Sequence, residues 1–252
     1  MLPINNLLLP LFFALASSCH SQSNAYLTKI RPENPTRIGS IPVPDGFYRI
    51  PGSPQSFSGW IRNIPLRNDP VVYLYNGKRK LNQEAQYAVI DWNIQGMSNL
   101  QCADAVMWIR AKWLYETGRF SDIRFTDNSG INYTFIPPYT EEHFRQFMNT
   151  VFAYCGTASL EQSLHRKNWN QIEPGDVVIK GGYPGHAMLV ADVICNTKGE
   201  RRFILLQGYM PAQDLHIVRN PMDPESAWYR IPITEELVTA EYVFKRSCLK
   251  SW

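Results

Sequence analysis

An α+β fold is what this sequence predicts, and three observations carry it. Two long stretches between residues 101 and 155 carry apolar residues at helical spacing. The second half holds a succession of short apolar runs separated by turn residues. Helices followed by strands, without strict alternation, point to a helical layer packed on a sheet. Composition agrees: 44% hydrophobic and 19% charged residues over 252 positions give enough apolar surface for a core. A net charge of +3 with no basic run gives no support to a nucleic-acid partner.

The elements follow in order. Residues 26–70 are rich in proline, glycine and arginine and read as an extended or looped lead-in rather than a helix. Phe47, Tyr48, Phe57, Trp60 and Ile61 within it predict that it packs on the domain. Val71–Tyr75 reads as a strand before the Asn76-Gly77 turn, and Tyr87–Trp92 as another. Gln101–Thr117 reads as a helix stopped by Gly118, with Cys102, Val106, Ile109 and Trp113 on one face. Ser98 with Gln101 fits a capping box, and Asn99 is an alternative cap. Phe125–Phe135 reads as a hairpin turning at Asp127–Gly130. Thr140 caps a second helix whose apolar stripe runs from Phe144 through Phe152 to Cys155. A short helix follows around Leu160–Leu164. Val177–Ile179, His186–Ile194, Arg202–Gln207, Leu215–Val218 and Tyr242–Lys245 read as strands.

Five cysteines, an odd number, argue that at least one serves outside a disulfide framework. The apolar run from Leu7 to Ala16 is about ten residues long, the length of a signal-peptide core and half that of a membrane span. The segment Leu15-Ala16-Ser17-Ser18-Cys19 resembles a bacterial lipobox, which implies a lipid anchor on Cys19. The expected organisation is a signal peptide over 1–18, a tether and lead-in over 19–45, and one domain over 46–252. The protein is then exported to the cell envelope and held at a membrane by its lipid.

A nucleophilic cysteine needs its thiolate stabilised, and a helix N-terminus does this with unpaired N–H groups. Cys102 holds such a position; Cys155, Cys195 and Cys248 do not. Asp104 acts the other way, because a nearby carboxylate raises a thiol pKa. Of the five histidines, His186 opens a strand just after a glycine-rich loop and is the best candidate base, with His216 second. If the turn of the following hairpin centres between Thr197 and Lys198, paired residue numbers sum to about 395. Gln207 then faces Met188 and lies diagonal to His186, where its amide could fix the imidazole. The bland alternative is that Cys102 is a core residue and His186 a satisfied structural group. A metal site from His186, His216, Asp214 and a cysteine has no recognised ligand spacing. No cofactor motif is found.

The segments Gln101–Met107, Gly156–Leu160, Pro174–Val177, Gly181–Ala187 and Tyr209–Asp214 resemble hallmarks of a family of secreted bacterial proteins and lipoproteins of unknown function. More distantly, the order of a helix-borne Cys, a Pro-Gly-Asp turn, a strand opening with His and a polar residue on the next strand resembles the NlpC-type papain-like fold. That resemblance implies a cysteine peptidase or amidase acting on an envelope peptide or glycopeptide. Cys102 would be nucleophile, His186 general base and Gln207 the orienting group, with the N–H of Cys102 stabilising the oxyanion. The region 140–167 would be a helical insertion. The competing expectation is a non-catalytic binding or scaffold module that recognises its ligand through aromatics such as Trp60, Trp92 and Tyr183.

Overall fold

Short runs of largely apolar residues build one large antiparallel sheet, visible in a computed structural model that describes residues 34–252. In chain order the elements are β1 (Phe47–Arg49), α1 (Phe57–Arg62), β2 (Gln86–Val89), α2 (Cys102–Glu116), β3 (Arg124–Thr126) and β4 (Asn132–Thr134). Then come α3 (Glu141–Tyr154), α4 (Thr157–Ser163), β5 (His165–Arg166), β6 (Val177–Lys180), β7 (His186–Asn196) and β8 (Arg201–Gln207). The chain closes with β9 (His216–Val218), β10 (Tyr229–Arg230), β11 (Glu236–Val238), β12 (Val243–Lys245) and β13 (Leu249–Ser251). The sheet runs β2-β9-β8-β7-β6-β13-β5, with β1 paired to the far end of β7 and β10 to β8. The fold is therefore a mixed α+β one, as the sequence predicts.

Both faces of the sheet are covered, which explains why β6, β7 and β8 are apolar at nearly every position. One face carries Val177, Ile179, Ala187, Leu189, Ile204 and Leu206, which pack in the cluster that holds the apolar residues of α2 and α3. The other carries Val178, Met188, Val190, Phe203 and Leu205, which pack with Leu237 and Phe244 of the β11–β12 hairpin. Ile38 and Ile41, in the expected lead-in, are buried in the first cluster.

The β7–β8 register bears on the site. Leu189 pairs with Leu206 and Val190 with Leu205, the predicted sum of 395. Beyond a bulge between Val190 and Asp192 the sum becomes 396. The turn is thus centred half a residue later than predicted, and the bulge restores the expected register at the His186 end. The bulge also presents Asp192, a fully buried carboxylate that accepts from Arg49 Nε and Arg62 Nε, each at 2.7 Å.

Four expectations are corrected. The stretch 26–70 contains a helix: Ser56 Oγ caps α1 by accepting from the Gly59 N–H, and Phe57 and Ile61 are buried. Val71–Tyr75 is no strand but a tight loop with isolated bridges: side chains of Asp69, Gln83 and Asp214 take the N–H groups of Val71, Val72 and Tyr73, while Leu74 and Tyr75 donate to the backbone carbonyls of Lys78 and Ala212. Tyr73 N–H donates to the Asp214 carboxylate at 2.9 Å. Tyr87–Trp92 forms a strand only as far as Val89. The N-cap of α2 is Gln101, whose N–H donates to Asp104 Oδ2 at 2.9 Å, so neither Ser98 nor Asn99 is the cap.

Candidate functional site

Cys102 is the first residue of α2, where the helix leaves its N–H groups without intrahelical partners. Its sulfur faces the backbone N–H groups of Cys102, Ala103 and Ala187, all of which favour the thiolate. Ala187 directly follows His186, so the thiol meets β7 one residue from the candidate base. Burial nevertheless outweighs these donors and, with Asp104, pushes the Cys102 thiol up.

Gly208 sets this approach. A Cβ built on it would lie 2.8 Å from the Gln101 carbonyl oxygen and 3.0 Å from Ala105 Cβ. The end of β8 therefore touches the first turn of α2, and only glycine leaves room. This contact brings the helix N-terminus to the strand that carries Gln207.

His186 and Gln207 meet directly. His186 Nε2 lies 2.9 Å from Gln207 Oε1, and both side chains are buried. An amide oxygen only accepts, so Nε2 carries the ring proton and Nδ1 is bare. Burial lowers the His186 pKa, partly opposed by Gln207 and Glu241. Tyr209, Tyr242 and Phe244 enclose the ring at centroid distances of 5.1, 5.1 and 5.8 Å.

Behind Gln207 stand Glu241 and Lys80, which no sequence signal singled out, and His216, the second-choice base. Glu241 Oε2 accepts from Gln207 Nε2 at 2.9 Å, and Lys80 Nζ is paired with Glu241 at 2.7 Å. His216 pairs with Gln207 across β8 and β9, and its Nε2 lies 3.0 Å from Gln207 Nε2. Its Nδ1 donates to the Asp214 carbonyl at 2.9 Å. Complete burial lowers the His216 pKa to about 3, so this imidazole is neutral at any ordinary pH.

Asp104 is 7% exposed, and burial raises its pKa to about 7. Cys155 is buried and pushed up to about 11 by burial, then by Asp127 and Asp104, which suits a core residue. Among the described residues no group of three or more His, Cys, Asp and Glu side chains could hold a metal, so the His186–His216–Asp214 set is not a ligand cluster. Both imidazoles point a nitrogen at Gln207 instead. Of the aromatics, Trp60 and Trp92 lie 6.2 Å apart, and Trp92 lines a hollow of 400 Å³ with Arg67, Tyr73 and Asp214. Tyr183 stands 95% exposed on the loop before His186. Cys19 lies outside the described residues.

These features define a mixed α+β domain with a thiol at a helix N-terminus and a buried His–Gln pair on the adjoining strands. By its sequence the chain belongs to the family described as domain of unknown function (4846), whose model matches residues 38–137 and 136–251. No curated protein and no solved structure matches it.

Proposed function

We propose that the protein is a cysteine hydrolase of the papain-like, NlpC-type class, cleaving an amide or peptide bond. The observation that carries this is the His186–Gln207 contact of 2.9 Å, made at the start of the strand on which α2, the helix that opens with Cys102, is packed. The contact leaves Nδ1 as the nitrogen available to take a proton.

Burial raises the thiol and lowers the imidazole, so the resting pair is neutral. The reaction then runs with general-base assistance rather than from a stored ion pair. The Cys102 S–H proton passes to His186 Nδ1 as the sulfur attacks the substrate carbonyl carbon. Backbone N–H at Cys102 stabilises the oxyanion. His186 returns its proton to the leaving amine, the C–N bond breaks, and a thioester remains. Water, deprotonated by His186, then releases the acid and regenerates the thiol. Gln207 keeps the imidazole in the required tautomer throughout.

The substrate class in this reading is a peptide or glycopeptide of the cell envelope. The signal-like segment 1–18 and the lipobox-like run Leu15–Cys19 support that address. Neutral iodoacetamide tests the dyad without knowledge of the substrate. Alkylation of Cys102, mapped by peptide mass, should be at least about tenfold slower in His186→Ala at pH 7, the loss of general-base assistance. The wild-type rate should fall on acidification with a midpoint below the ordinary 6.5 of histidine. Equal rates in the two proteins would favour the binding-module reading.

A further inference from the structure

Resting on the hydrolase reading, we infer that Glu241, braced by Lys80, and His216 are positioning residues that lock the Gln207 amide in the one orientation leaving His186 Nδ1 free. An amide can turn over by 180° at almost no cost unless its neighbours discriminate oxygen from nitrogen. Here two neighbours do so. Glu241 is a carboxylate and only accepts. His216 uses its Nδ1 proton on the Asp214 carbonyl, so its Nε2 also only accepts. Both receive Gln207 Nε2, at 2.9 and 3.0 Å, which employs both of its hydrogens. Turning the amide over would set its oxygen against a carboxylate and a lone pair in a buried site. The oxygen must therefore face His186, and the ring proton must sit on Nε2.

Lys80 makes the lock persistent. Its side chain is 8% and that of Glu241 9% exposed, and they pair at 2.7 Å, which holds the Glu241 side chain in place. Around His186, Gln207 takes Nε2, while Tyr209, Tyr242 and Phe244 enclose the ring and Cys102 lies beside the Ala187 N–H. Lys80 lies 5.6 Å over the Tyr209 ring and reaches the imidazole only through Glu241 and Gln207.

The test is the histidine tautomers in ¹⁵N-labelled protein, read from long-range ¹⁵N–¹H correlations. Wild-type protein should carry its proton on Nε2 of His186 and on Nδ1 of His216. In Glu241→Leu no acceptor faces Gln207 from that side, and Lys80 Nζ, which touches both Glu241 oxygens in the wild type, is left to seek the Gln207 oxygen. The Gln207 amide then turns over, His216 moves its own proton to Nε2 to meet the oxygen, and the His186 proton moves to Nδ1 in a major fraction of molecules. Alkylation of Cys102 should fall with it by about tenfold or more, the signature of a wrong tautomer. The double variant Gln207→Glu with Glu241→Leu should recover the Nε2 proton of His186, since a carboxylate accepts with either oxygen. A full Nε2–H signal of His186 retained in Glu241→Leu would overturn the inference. If that variant does not fold, wild type decides: a proton on Nδ1 of His186, or on Nε2 of His216, overturns it. A tautomer shift in a protein that cleaves no amide would sink the hydrolase reading and leave the lock standing.

Discussion

Asp104→Asn separates the structural from the electrostatic role of the carboxylate beside the thiol. In the folded protein this side chain is 7% exposed and its pKa is raised from 3.8 to about 7. The unfolded chain loses the proton near 3.8, so between that pH and about 7 only the folded state holds it. Folding stability therefore falls as pH rises through this window and is flat on either side. About three pH units at 1.36 kcal/mol each give a decline on the order of 4 kcal/mol. Asparagine keeps a carbonyl oxygen for the Gln101 N–H, so the cap survives, but it cannot ionise. Urea denaturation of both proteins from pH 3.5 to 8 gives the difference in stability at each pH. Asp176, raised to about 6 by burial, contributes equally to both and cancels. The wild type should lose stability relative to Asp104→Asn across the window, and the Cys102 thiol should titrate lower in the variant. A difference that stays constant, or that rises with pH, would refute the reasoning.

Two further substitutions probe how the site is assembled. Gly208→Ala places a Cβ 2.8 Å from the Gln101 carbonyl, a backbone atom with little freedom to move. Thermal denaturation should show a loss of about 1–3 kcal/mol from overpacking, and iodoacetamide should label Cys102 at a changed rate as the helix end shifts. Asp192→Ala leaves Arg49 and Arg62 without their shared carboxylate and should cost about 3–5 kcal/mol by denaturant titration.

Elements with long periodic patterns were legible in the sequence, and those held by particular contacts were not. The helix α2, the cap of α3 by Thr140 and the β3–β4 hairpin follow from spacing and turn chemistry alone. The β7–β8 register was legible at the end that matters, so the Gln207–His186 contact could be anticipated from pairing arithmetic. The bulge at Asp192 was not, because a buried acid in an apolar strand signals a partner without naming it. Helix α1 was hidden by its length of six residues and its proline-rich surroundings. Within the site, Cys102, His186 and Gln207 carried signals of type and position. Lys80 and Glu241 carried none: each looks like an ordinary charged loop residue until 161 positions of chain are folded together. His216 was recognised as a second-choice base, yet its low pKa and its Nδ1 bond to Asp214 make it an acceptor for Gln207 instead.

Hydrolysis itself is the most direct measurement. Purified protein incubated with defined envelope glycopeptides, with products resolved by mass, should generate a new amine and a new carboxyl group from one amide bond. Cys102→Ala and His186→Ala should each reduce that rate by about 10³-fold or more, as expected when members of one catalytic unit are removed. Cleavage that survives in Cys102→Ala would contradict the account. So would glycopeptide binding by wild type and Cys102→Ala alike with no bond broken by either.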